Sequence, residues 1–155
     1  DEGHVKKGLL INRWPGRIET ITTDPLIILD GAHNLVAARN LARHLKTEYS
    51  DRAITLVIGI LDDKPYRRML DFMLPTCSRV IFTRPTIGRA LAAEKLAAAA
   101  AGSKAKTEIV ADVPAALQRA VDTLPVNGMI CAAGSLYVVG EAKEAFNKGR
   151  INLHR

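Results

Sequence analysis

Four short stretches hold most of the residues able to do chemistry in this 155-residue sequence. They are Asp30-Gly31-Ala32-His33-Asn34, Leu61-Asp62-Asp63-Lys64, Arg84-Pro85-Thr86 and Gly134-Ser135-Leu136-Tyr137. In the first, Gly31 and Ala32 leave the backbone uncovered, while Asp30, His33 and Asn34 offer a carboxylate, a switchable imidazole and an amide to one ligand. The structural alternatives are a helix cap for Asn34 and simple exposure for His33. Lys64 can neutralise a phosphate or carboxylate, or merely be solvated. Ser135 stands where a helix should begin, so it can cap that helix, bind an anion beside the free amides, or do both.

Several chemistries are excluded by what the sequence lacks. One Asp and one His are too few for a zinc centre, so no metal ligand is assigned. The stretch around Ser135 lacks the second glycine of G-x-S-x-G, which removes a serine-hydrolase reading. There is no G-x-x-x-x-G-K-[ST] to cradle a triphosphate, and no G-x-G-x-x-G follows a strand. Any ATP chemistry therefore needs residues from outside these 155.

Composition narrows the partners. Twenty-two Lys and Arg against 16 Asp and Glu give a net charge of +6, which favours anionic ligands electrostatically. Arg67-Arg68, Lys148, Arg150 and Arg155 supply much of that surplus. Without interleaved aromatics they read as solvated surface, and no nucleic-acid partner is expected. Cys77 and Cys131, each in an apolar stretch, read as buried reduced thiols. No apolar run is long enough to span a bilayer and the first residues lack the order of a secretory signal, so the expectation is a cytoplasmic protein with no membrane partner.

These stretches need elements to hold them. From about residue 18 short β-branched or aliphatic runs alternate with helical patterns, the signature of a sheet built from βα units. Six strands are expected over 18–23, 26–30, 55–60, 79–83, 106–110 and 129–133. The first two are separated only by Asp24-Pro25, too short for a crossover, so they form a hairpin and one antiparallel edge strand. Five helices follow. The first carries Leu35, Ala38, Leu41 and Leu45 on one face. The second opens at Asp62-Asp63-Lys64-Pro65, with an Asp cap and proline in the first turn. The others are expected over 91–101, from Asp112-Val113-Pro114 onward, and over 136–147. This predicts a Rossmann-like α/β three-layer sandwich with a six-stranded, mostly parallel sheet. Residues 1–16, broken by Trp14-Pro15-Gly16, read as a connector to a domain spanning 17–155. In such a sheet ligands gather beyond the carboxyl ends of the strands, which is where all four stretches fall.

In order and spacing, Trp14-Pro15-Gly16-Arg17-Ile18-Glu19, Leu29 to Asn34, Gly59 to Lys64 and Gly134-Ser135-Leu136-Tyr137-Val138-Val139-Gly140-Glu141 resemble the C-terminal domain of folylpolyglutamate synthase/dihydrofolate synthase, in the Mur ligase superfamily. The resemblance covers essentially the whole chain. It implies an ATP- and magnesium-dependent ligase that turns a folate or dihydropteroate carboxylate into an acyl phosphate, which the amine of L-glutamate attacks. An N-terminal P-loop domain of the same polypeptide would bind ATP, Mg2+ and the pterin substrate, and the isolated C-terminal lid would be inactive.

Residue by residue, the resemblance implies that Arg17 reaches the nucleotide phosphates across a hinge. Asp30 corresponds to the aspartate near the ribose and the reacting centre, and Asn34 stands beside it on the nucleotide side. His33 and Ser135 correspond to positions that hold the incoming glutamate. Lys64 falls in a nucleotide-side segment, although Gly59-Ile60-Leu61 and Pro65 replace the alanine and aspartate usual there. Asp30 and His33 are the candidate catalytic residues, with orientation of glutamate favoured over proton transfer. Two other classes remain as alternatives: a free-standing nucleotide- or anion-binding module, and a basic interaction domain.

Overall fold

A computed structural model describes residues 16–153, so the connector expected over 1–16 lies outside the described residues apart from Gly16. The described residues form six strands and five helices: β1 (Glu19–Thr23), β2 (Leu26–Leu29), α1 (Leu35–Glu48), β3 (Ala53–Ile58), α2 (Tyr66–Met73), β4 (Arg79–Phe82), α3 (Ala93–Ala99), β5 (Lys106–Ile109), α4 (Val113–Asp122), β6 (Gly128–Ala133) and α5 (Leu136–Asn147). A 3-10 turn, Leu74–Thr76, closes α2.

The strands form one sheet in the order β1-β2-β6-β3-β4-β5. Every neighbouring pair is parallel except the β1–β2 hairpin at the edge. The α/β sandwich expected from the alternating pattern is the architecture found. Its three layers follow from the period-two alternation of strand side chains. Ile28, Leu56, Ile58, Val80, Phe82 and Cys131 face α1, α2 and α3, packing on Leu41, Leu45, Met69, Met73 and Leu96. Ile27, Leu29, Val57, Ile81, Ile130 and Ala132 face α4 and α5, against Leu117, Val121, Val138 and Ala142. Both faces are covered, so β6 is buried at every residue and its sequence, Gly-Met-Ile-Cys-Ala-Ala, needs no polar alternation.

Several boundaries differ from the sequence expectation, each for a local reason. Ile18 has φ of 46°, a left-handed value, so β1 starts only at Glu19. β3 runs over Ala53–Ile58 rather than 55–60, because the chain beyond Ile58 leaves the ladder at Gly59. The second helix is not capped by an Asp. Its cap position is Pro65, with no side-chain hydrogen bond. Leu61 instead bridges Ala90, and the Asp62 N–H donates to the Arg89 carbonyl at 2.9 Å, which holds the Asp-Asp-Lys stretch in a turn before α2. α3 starts at Ala93 rather than 91, because Ala92 at its cap position is extended, with ψ of 132°, while the Leu91 N–H is bonded to the Ile60 carbonyl at 2.9 Å. The α4 opening is as expected: Asp112 Oδ1 accepts the Ala115 N–H at 2.8 Å, with Pro114 in the first turn.

Candidate functional site

Strands β2, β6, β3 and β4 run parallel and end on one edge, and their loops are tied together there. Asp30 N–H donates to Ala132 O at 2.9 Å, Gly59 N–H to Ala133 O at 3.3 Å, and Thr83 N–H to Ile58 O at 3.0 Å. Two glycines allow the closest approaches. Gly134 has φ of +106°, and a Cβ there would lie 2.6 Å from the Gly59 carbonyl oxygen. A Cβ on Gly31 would lie 2.6 Å from Leu136 Cδ2, so the loop after β2 touches the first turn of α5.

Asp30 is the anchor of this rim. It is 9% exposed, and both carboxylate oxygens are engaged: Oδ2 accepts the Ile18 N–H at 2.9 Å and Oδ1 the Ala32 N–H at 2.8 Å. Burial raises its carboxyl pKa above the ordinary value, and this outweighs the opposing pull of the two N–H bonds and of the Arg17 and His44 charges. The chain before β1 is thereby drawn against the rim, where the Gly31 N–H also donates to Gly16 O at 2.6 Å.

A cleft of about 500 Å³ opens beside this anchor. Arg17, Asp30, His33 and Asn34 line it, together with Ile18, Val36 and Leu136. His33 Nδ1 lies 2.7 Å from Gly31 O, which suits a Nδ1–H donor and leaves Nε2 for a ligand. Asn34 caps α1, its Oδ1 accepting the Ala37 N–H at 2.9 Å. Ser135 is buried at the neighbouring helix start, and its Oγ accepts the Val138 N–H at 3.2 Å. The first turns of two helices thus border one crevice.

Lys64 is not among the residues lining that cleft. It stands on the loop after β3, with Nζ 2.9 Å from Asp63 Oδ2. That ion pair, helped by the Arg89 charge, lowers the exposed Asp63 carboxyl below its ordinary value. The Arg84-Pro85-Thr86 loop is held from α5, where Glu141 accepts the Thr86 N–H at 2.6 Å.

The reading of polar residues missed the apolar rim. Ile18, Val36 and Leu136 are exposed large hydrophobics that border the cleft. Their signal was available, because each stands one or two residues from a polar candidate at an element start. Also missed was the Glu19–Lys143 pair, which joins β1 to α5 at 2.9 Å.

Among the described residues no helix is long and apolar enough to cross a membrane, and no group of three His, Cys, Asp or Glu could hold a metal ion.

Known proteins share this sequence pattern and fold. Residues 16–136 match the family model described as Mur ligase, glutamate ligase domain. A probable bifunctional folylpolyglutamate synthase/dihydropteroate synthase of Halobacterium salinarum is 33% identical over 149 residues, covering 96% of this chain and 18% of that protein. The dihydrofolate synthase/folylpolyglutamate synthase of Bacillus subtilis is 28% identical over 141 residues, covering 90% of this chain and 32% of that one. The structure of Mycobacterium tuberculosis folylpolyglutamate synthase complexed with ADP superposes with a TM-score of 0.86 at 28% identity, over 94% of this chain and 35% of that chain. The chain therefore spans about a third of these relatives' length or less. It belongs to the Mur ligase family, as that family's glutamate ligase domain.

Proposed function

We propose that this chain is the lid of an ATP-dependent carboxylate–amine ligase that adds L-glutamate to a folate or dihydropteroate carboxylate. The observation that carries the reading is the shared cleft of Arg17, Asp30, His33 and Asn34 on the carboxyl edge, in a chain matching a glutamate ligase domain. An N-terminal P-loop domain of the same polypeptide completes the site and holds most of the ATP. The ADP-bound mycobacterial relative and the dihydrofolate synthase/folylpolyglutamate synthase of Bacillus subtilis support it.

In this reading a carboxylate oxygen of the acceptor attacks the γ-phosphorus of ATP and ADP departs, leaving an acyl phosphate. The neutral amine of glutamate then attacks the acyl carbon, phosphate leaves and the amine loses a proton. Two anions must first be brought together, so the lid contributes positive charge. Arg17, carried on the turn before β1, stabilises charge on the transferring phosphoryl group. The starts of α1 and α5 add their helix dipoles at the same edge.

His33 orients glutamate through Nε2, because its Nδ1 is already spent on Gly31. Ser135 and Asn34 act first as caps, so each shapes a helix start that faces substrate. Asp30 holds Arg17's turn and keeps its carboxylate close to the nucleotide side. Lys64 is retained as a nucleotide-side cation, with Asp63 occupying its ammonium in the free domain. In this reading Mg2+ would sit on the ATP phosphates and be held mainly by the P-loop domain.

The test is glutamate ligation by the intact gene product, with dihydropteroate and tetrahydrofolate compared side by side. ATP-dependent incorporation into at least one acceptor is expected. ATP binding by the isolated 155-residue chain as tight as by the intact protein would instead favour a free-standing nucleotide module.

A further inference from the structure

We propose that Lys143 is a positioning residue: through Glu19 it fixes the turn at residues 16–18 in the shape that carries Arg17 to the cleft. The inference rests on the ligase reading, from which Arg17 takes its role.

That turn is not one the chain adopts unaided. Gly16 has φ of 74° and Ile18 φ of 46°, so the residues on both sides of Arg17 are left-handed. Glycine tolerates this, but a β-branched residue there is an outlier that surrounding contacts must impose.

The contacts come from three directions. Asp30 takes the Ile18 N–H at 2.9 Å, and the Gly31 N–H donates to Gly16 O at 2.6 Å, so β2's end holds the turn from below. Glu19 Oε2 takes the Gly16 N–H at 2.8 Å. Glu19 is itself gripped by Lys143, whose Nζ lies 2.9 Å from Oε1 and 3.1 Å from Oε2. Gly16 also rests on α5, where a Cβ would come within 3.2 Å of Val139 Cγ1.

Val139 and Lys143 are four residues apart, hence on one face of the helix. Leu136, three residues earlier, is the side chain packed against Gly31. One stripe of α5 therefore seats the whole turn, and Lys143 is its charged end. As a stabilising contact, a pair with side chains 33% and 23% exposed is worth little. Its consequence is geometric: without the ammonium the Glu19 carboxylate is less firmly placed against the Gly16 N–H, and the turn carrying Arg17 loses one of its several holds.

The experiment uses the full-length protein with Lys143→Met, Lys143→Arg, Arg17→Ala and the Lys143→Met/Arg17→Ala double variant. Lys143→Met should lower kcat about tenfold while KM for ATP stays within about twofold, and Lys143→Arg should recover most of the loss. In the Arg17→Ala background, Lys143→Met should change kcat by less than about twofold, because the residue it positions is gone. Amide exchange at Gly16, which reads the clamp without any turnover, should quicken about tenfold in Lys143→Met.

Independent multiplication of the two losses, or unchanged Gly16 exchange, would overturn the positioning role and leave the ligase reading intact. Full activity of Arg17→Ala, or no ligation by the wild type, would strike that reading instead, with the exchange result still deciding whether the clamp exists.

Discussion

Asp30 accepts the Ile18 backbone N–H at 2.9 Å, so a carboxylate at the end of β2 fixes the turn that precedes β1. The two residues are twelve apart in sequence and joined by a hairpin, and the bond converts a strand end into a holder for Arg17. Removing the carboxylate with Asp30→Ala orphans the Ile18 and Ala32 amides, at a cost of roughly 1–3 kcal/mol. Urea unfolding measures it. A cost close to zero would mean that those amides find other partners.

The same burial gives a pH signature. Asp30's carboxyl is raised above its ordinary value by desolvation, so between its unfolded and folded values the native state binds the extra proton. Stability should therefore fall as pH rises through that window. Asp30→Asn cannot titrate, and the stability of wild type relative to it should decline across the range just above pH 4. A difference that grows with pH would reverse the assignment.

Desolvation also quiets the thiols, although Cys77, expected to be buried, is only half-buried. Cys77 is pushed up to about 11, and fully buried Cys131 is raised well above the usual thiol value. Neither should react with a disulfide reagent at pH 8 in the native protein, and both should react once it is unfolded in denaturant. Rapid native labelling at Cys77 would contradict the packing around Thr76 and Met73.

His33 offers Nε2 to the cleft and has its other nitrogen engaged by Gly31. In the full-length enzyme His33→Ala should raise KM for glutamate by about tenfold or more, with KM for ATP nearly unchanged. Steady-state kinetics varying each substrate in turn supply the comparison. Equal increases in both constants would remove the orienting role.

Much of this was legible in the residues. The alternation of apolar runs with amphipathic stripes foretold the sheet, its antiparallel edge and its two covered faces, because each pattern has one period and one way to bury it. Asp30, His33, Asn34 and Ser135 could be placed on one edge because strand ends and helix starts are local signals. Lys64 could not be separated from them, since its distance from the cleft depends on the Leu61–Ala90 bridge, a pairing between loops that no local pattern encodes. The missing Asp cap at α2 has the same origin. The clamp on Gly16 was invisible for a related reason: Lys143 lies 124 residues from Glu19 and reads in isolation as a solvated cation.

In the proposed ligase this domain delivers Arg17 to the phosphoryl-transfer step. The most direct test of that role is turnover of labelled L-glutamate by the full-length protein at saturating ATP and acceptor, wild type against Arg17→Ala. ATP-dependent incorporation by the wild type is expected, with kcat lower by roughly a hundredfold in the variant. A wild type that consumes ATP without incorporating glutamate, or an Arg17→Ala enzyme with undiminished kcat, would contradict it.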